Sequence, residues 1–256
     1  MASLDWSPIP LPGARLIAAT PRHSRIDALR GFAIVWMALF HFSFDLNHFG
    51  WLVQDLYRDP FWTLQRSAIV SLFLFCAGIG QAMAIEQGQP WRRFWRRWAQ
   101  VAACALLVSA GSWWMFPHSW ISFGVLHGMA LMLLILRWAG PRLPLWACWP
   151  GGLALLLAPQ FWSHAFFDTR WTNWVGLVTQ KPVTEDYVPV LPWLGVMLLA
   201  FALGRWVIVR RSQLISGALP AFLSPLALLG RWSLSFYMLH QPVLIGLLAL
   251  AATMRG

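Results

Sequence analysis

Residues Arg25 to Trp51 read RIDALRGFAIVWMALFHFSFDLNHFGW. The stretch opens on arginines and runs apolar for ten residues to Phe40. His41, Asp45 and His48 then follow in the same apolar segment. On a helix rising 1.5 Å per residue, His41 lies about 16 Å beyond Arg30. If Arg30 marks one membrane boundary, that is close to mid-bilayer. An ionisable side chain at that depth is costly unless it faces a cavity or a partner. Positions i, i+4 and i+7 share a helix face, so the three groups form one stripe leading toward the far surface. An imidazole with a carboxylate one turn away is a general-base arrangement. The carboxylate orients the ring and the free nitrogen takes a proton. The same pair could relay protons in a transporter, and spacing alone does not choose between the two. Ser43 points about 200° away from His41, which argues against a Ser/His dyad within this helix.

The rest of the chain supports a membrane setting. Of 256 residues, 59% are hydrophobic and 11% charged, with a mean hydropathy of +0.58. Soluble domains hold roughly 45–50% apolar and about 25% charged residues. Many of the nineteen tryptophans fall near the ends of apolar runs, where amphipathic rings meet headgroups. The expected fold is an all-α integral membrane bundle of about seven spans. They are Leu29–Phe49, Phe61–Ile85, Ala99–Phe116, Ile121–Trp138, Leu145–Trp162, Val190–Val209 and Ser233–Met254. Pro150, Gly151, Gly152 and Pro159 interrupt the fifth. Leu219–Leu229 is apolar but short and holds two prolines, which suits a re-entrant or interfacial piece.

With the N-terminus inside, fourteen basic residues fall on the inner side and five outside. Inverting the chain would export the larger set, so the expectation is N-in, C-out, in an inner (cytoplasmic) membrane. Residues 1–24 read as a flexible cytoplasmic tail, without the apolar core of a cleavable signal. Residues 25–256 read as a single transmembrane domain. The formal charge of +10 does not imply a nucleic-acid partner, because the arginines cluster between apolar spans. Cys76, Cys104 and Cys148 show no metal or disulfide spacing and read as packing residues. No metal is expected.

Further polar groups punctuate the spans. SFGVLHGMALMLL places His127 in the fourth. TEDYVPVLPWLGVMLLA places Glu185, Asp186 and Tyr187 at the outer mouth of the sixth, and GRWSLSFYMLHQPVLIG places His240 inside the seventh. His127 and His240 could bridge helices or serve the chemistry. Asp186 and Tyr187 could contact a substrate or remain solvated loop groups. WRRFWRRW, Trp91–Trp98, reads as an interfacial helix with a cationic face of Arg92, Arg93, Arg96 and Arg97. That face could anchor anionic headgroups. It could also grip a polyphosphate, such as the nucleotide end of coenzyme A, through guanidinium forks. No glycine-rich phosphate loop accompanies it.

Four phrases, RIDALRGFAIVWMALFHFSFDL, FGVLHGMALMLL, DYVPVLPWLGVMLLA and GRWSLSFYMLHQPVL, together resemble the catalytic-domain family of heparan-α-glucosaminide N-acetyltransferase. The likeness is closer to its short bacterial members and covers roughly residues 24–250. The first phrase also resembles the opening of membrane acyltransferases that acetylate O-antigen sugars. The resemblance implies transfer of an acyl group, acetyl foremost, from cytosolic acyl-CoA to a sugar amine or hydroxyl on the far side. Beside the O-antigen enzymes the deep histidine is His41. Beside the long eukaryotic member, His41 stands where that protein has asparagine, and His48 matches its histidine only across a gap. His41 is therefore the favoured base, Asp45 its orienter and His48 the alternative. His127 or His240 would steady the oxyanion, Arg30 and Arg92–Arg97 would hold acyl-CoA, and Asp186 and Tyr187 would meet the acceptor. A proton-coupled small-molecule transporter is the competing reading. Many transporters carry an inverted repeat, and none is evident here. The acceptor and any homo-oligomer are left open.

Overall fold

The computed structural model describes residues 23–254. The tail expected over residues 1–24 falls almost wholly outside them. Nine α-helices and four short 3-10 turns make up the regular structure among the described residues. The long helices are α1 (Ser24–His48), α2 (Pro60–Glu86), α3 (Trp91–Met115), α4 (Val125–Ala139), α5 (Leu145–Phe161), α6 (Val190–Arg210) and α9 (Ser233–Thr253). Between the last two lie the short α7 (Gln213–Ser216) and α8 (Ser224–Arg231).

Each expected apolar segment became one long helix, with shifted ends. α1 begins five residues earlier than hydropathy alone suggests, because the RIDALR turn carries good helix formers. α3 absorbs the whole WRRFWRRW stretch into one continuous rod. α5 tolerates Pro150 and Pro159 inside its length. Among the described residues, four helices are long and apolar enough to cross a bilayer: α1, α2, α6 and α9. α3 has the length but opens on four arginines. α4 and α5, at 15 and 17 residues, fall short of the roughly 20 a full span needs. The segment expected as re-entrant or interfacial folds into a 3-10 turn at Ala221–Leu223 followed by α8.

α6 is the central post. It packs against α2 on one side and α5 on the other, around Leu74, Met132, Cys148, Leu194, Met197 and Phe201, all buried. Small residues let the backbones close up. A Cβ at Gly195 would stand 2.6 Å from the Gly152 carbonyl oxygen, so only glycine permits this α5–α6 approach. α8 lies along the start of α1 in the same way. A Cβ at Gly31 would collide with the Leu226 carbonyl, and one at Gly230 with that of Asp27.

Polar links define two ends. At one, Arg25 donates to the Leu214 carbonyl at 3.2 Å and the Ala218 carbonyl at 3.1 Å. Asp27 pairs with Arg30 at 3.1 Å and reaches Arg231 at 3.9 Å. Arg205 pairs with Glu86 at 3.0 Å, and Arg137 donates to the Gln89 carbonyl. This is the arginine-rich end. At the far end, Glu185 joins Ser119 and Tyr57, Asp186 meets Val125, and His48 packs on Phe116.

Candidate functional site

α1 and α9 meet where their polar residues fall. The rings of His41 and His240 stand 5.1 Å apart, edge to face. One residue on, Gln241 Nε2 donates to Asp45 Oδ1 at 2.8 Å. Asp45 thus turns to α9 instead of to His41. Its Oδ2 is buried with no partner among the described residues, as are His240 Nε2 and Gln241 Oε1. Aromatic rings wall the pair: Phe40 lies edge-on to His41 at 5.8 Å, and Phe236 stacks on His240 at 6.1 Å. Pro242 has no N–H, so the Met238 carbonyl lacks its helical donor beside this site.

Hydrogen bonding fixes the state of His240. Its Nδ1 lies 2.7 Å from the Tyr237 carbonyl. A carbonyl only accepts, so Nδ1 carries the proton and neutral His240 presents an unprotonated Nε2. Three buried polar atoms left open in one place are unusual in a folded interior, where such atoms are nearly always bonded. Ser43 takes no part; its hydroxyl donates to the Leu39 carbonyl at 3.1 Å. His48 lies near the end of α1, exposed, against Phe49 and Phe116.

His127 is built differently. The Gly124 N–H donates to its Nδ1 at 3.3 Å, which leaves Nε2 to donate to Ser109 Oγ at 3.1 Å. Ser109 in turn donates to the Ile121 carbonyl at 2.7 Å. Both ring nitrogens are used in fastening the start of α4 to α3. Asp186 is likewise engaged: its Oδ2 accepts from the Val125 N–H at 2.6 Å and so caps α4. Burial raises its carboxyl above the usual range, although Val125, Arg66 and Lys181 pull the other way. The Tyr187 hydroxyl donates to the Asn173 carbonyl at 2.7 Å, and burial pushes it up. Nearby, burial and Glu185 push Tyr57 up to about 12.

At the arginine-rich end, Arg92, Arg93, Arg96 and Arg97 are exposed on the first two turns of α3. Arg97 stands within electrostatic reach of Arg30 and Asp27 at the foot of α1. Trp91 and Phe94 on the same turns hold the Arg137 guanidinium over their rings, at 4.9 and 5.4 Å. Among the described residues no three His, Cys, Asp or Glu side chains converge as metal ligands.

An all-helical membrane protein with ionisable residues buried between two of its spans is the class these features define. The chain belongs to the family of heparan-alpha-glucosaminide N-acetyltransferase catalytic domains, whose model matches residues 22–242. Comparison with curated proteins and with solved structures returned no match. The family is one of membrane acetyltransferases, and the apolar helices agree with an integral membrane protein.

Proposed function

We propose that this protein moves an acyl group, acetyl foremost, from acyl-CoA to a sugar amine or hydroxyl on the opposite side of an inner membrane. The observation that carries this reading is the His41–His240 pair beside the Asp45–Gln241 bond, at the α1–α9 contact. In this reading the bundle spans seven times, with the arginine-rich end and the N-terminus cytoplasmic. Guanidinium groups of Arg30, Arg92, Arg93, Arg96 and Arg97 bind the phosphates of acyl-CoA. The four on α3 fit the role, being exposed and without an ion pair among the described residues, while Arg30 is held by Asp27 at 3.1 Å.

His41 takes the proton from the acceptor, whose nitrogen or oxygen attacks the thioester carbonyl. The C–S bond then breaks, the amide or ester forms, and the thiolate leaves with the proton from the imidazolium. Asp45 supports that imidazolium through the field of a carboxylate one turn away. Neutral His240 offers a lone pair at Nε2 and no donor, so it suits holding or passing a proton better than steadying an oxyanion. His127, with both nitrogens engaged, suits a structural role. His48 stays the alternative base.

The test uses the full chain in nanodiscs with labelled acetyl-CoA and a panel of amino and neutral sugars. Transfer that disappears in His41→Ala and persists in His48→Ala supports the reading. No consumption of acetyl-CoA with any acceptor sinks it, and pH-driven solute flux in liposomes would then favour the transporter.

A further inference from the structure

The far halves of α3 and α9 diverge. Nearer the arginine-rich end, Leu234, Tyr237 and Met238 of α9 pack into the same cluster as Cys104, Ala105 and Val108 of α3. No α9 residue beyond Met238 joins that cluster. On the α9 face that carries Met238, Pro242 is exposed and Ile245 and Ala249 are only partly buried. Gly111 follows Cys104 and Val108 on one face of α3, yet nothing lies within 4 Å of a Cβ placed there. Met115, a turn further, is exposed. Past it the chain returns to α1, where the Phe116 ring stands 6.4 Å from that of His48. An opening is thus framed by α3, α9 and the His48–Phe116 contact. At its level, where α9 meets α1, lie Asp45 Oδ2, His240 Nε2 and Gln241 Oε1, all buried and without a partner among the described residues.

The approach to these atoms from the far end is covered. Leu56, in the connection from α1 to α2, is buried in one cluster with Phe40, the ring that lies edge-on to His41. The Gln54 N–H fastens that connection to α1 by donating to Asn47 Oδ1 at 2.7 Å. The Tyr57 hydroxyl fastens it to the 184–188 segment by donating to Glu185 at 3.3 Å. That segment is pinned in turn to the α3–α4 connection: the Glu185 N–H donates to the Ser119 carbonyl at 2.9 Å and the Val188 N–H to the Phe123 carbonyl at 3.3 Å. In the spanning arrangement proposed above, the α3–α9 opening faces the bilayer. Hydrocarbon offers no donor to three open acceptors, and a free sugar loses its hydration on reaching them from the side. A sugar on a lipid anchor leaves its tail in the bilayer and brings O–H or N–H donors to the acceptors. We propose that the acceptor enters sideways between α3 and α9, and hence that it is a sugar borne on a membrane lipid and not a free glycan. The claim about the acceptor rests on the acyltransferase reading above; the claim that the opening takes a lipid-borne sugar does not.

Two measurements separate them. The full chain in phosphatidylcholine nanodiscs is labelled with dodecyl β-glucosaminide carrying a photoreactive diazirine in its chain. Adducts should concentrate on residues 108–116 and 238–249. Unlabelled dodecyl β-glucosaminide should displace them, and methyl β-glucosaminide should not. Adducts spread evenly over the apolar helix faces, or not displaced by the unlabelled glycolipid, overturn the site. Displacement by the methyl glycoside as well overturns the need for a lipid. Acetyl transfer to the two glycosides is then compared. Gly111→Trp and Ala249→Trp fill the opening from either side. Each should lower kcat/KM toward the dodecyl glycoside about tenfold or more, with binding of labelled acetyl-CoA kept. Leu107→Trp, on an exposed face of α3, should change neither. Undiminished transfer in both filled variants, or an equal loss in Leu107→Trp, overturns the route. A kcat/KM for the methyl glycoside equal to or above that for the dodecyl one overturns the lipid-borne acceptor and leaves the acyltransferase standing. No transfer to either glycoside removes the acyltransferase, and with it the acceptor claim, while the labelling still decides the opening.

Discussion

Two histidines inside this bundle have opposite surroundings. His127 gives each ring nitrogen a neighbour, Gly124 on one side and Ser109 on the other. His240 spends Nδ1 on the Tyr237 carbonyl and leaves Nε2 buried and open, against the ring of His41. A satisfied imidazole holds helices together; an unsatisfied one carries a desolvation cost that packing alone does not explain. On the proposed acyl-transfer reading, the difference puts His127 with the architecture and the His41–His240 pair with the chemistry.

His41→Ala should break that assignment most severely if it is wrong. Loss of a general base lowers turnover by about 10²–10⁴-fold, with thermal unfolding of the purified protein little changed. Retained acetyl transfer would move the base to His48. Paired substitutions then sharpen the contrast. His240→Ala should cut kcat by about 10²-fold or more and leave the unfolding midpoint near wild type. His127→Ala should do the reverse, keeping kcat and destabilising by about 1–3 kcal/mol through its orphaned partners. Identical behaviour of the two variants would erase the distinction.

The sequence revealed the helices because hydropathy over roughly twenty residues is a local property. Every apolar segment became a helix at nearly its expected place. The i, i+4, i+7 register of His41, Asp45 and His48 was legible for the same reason, since helical periodicity sets it, but Asp45 turns to Gln241 and His48 is exposed. What sequence could not reveal is which partner each polar group meets. Gln241 reaches Asp45 across 196 positions of chain, and nothing near either residue encodes that pairing. Asp186 and Tyr187 stand just ahead of α6, where one caps α4 and the other fastens the Asn173 turn.

Gln241→Leu tests the link between α9 and the deep carboxylate. It leaves Asp45 with no donor, and turnover should fall by about tenfold, the scale of one hydrogen bond to a charged group. Gln241→Glu should be worse, because it sets two carboxylates together. Equal kcat in wild type and both variants would reduce the Asp45–Gln241 bond to packing. Asp186→Ala should remove the α4 cap and cost about 1 kcal/mol in unfolding free energy. Asp186→Asn, which keeps an acceptor oxygen for the Val125 N–H, should recover most of it.

The smallest expected effect lies in the loop beyond α5, where Asp168 accepts from the Thr179 N–H at 2.7 Å and from its hydroxyl at 2.5 Å. Those bonds favour the ionised form and hold the Asp168 carboxyl below its ordinary value of 3.8. A carboxyl depressed in the folded state gives stability above the unfolded value, and that stability is lost as pH falls through the folded one. Because Asp168 is exposed, screening keeps the contribution small. Protection of the Thr179 amide from hydrogen exchange, corrected for the intrinsic pH dependence, should therefore be constant above pH 3.8 and weaken below it. Asp168→Asn should flatten the profile, since its amide oxygen still accepts but does not titrate. The midpoint of transfer activity should stay put across the same range, because this carboxylate fastens a loop and, unlike the His41–His240 pair, leaves no buried atom open. A shift in the activity profile on Asp168→Asn would bring the loop into the site and blur the line between the two kinds of polar group.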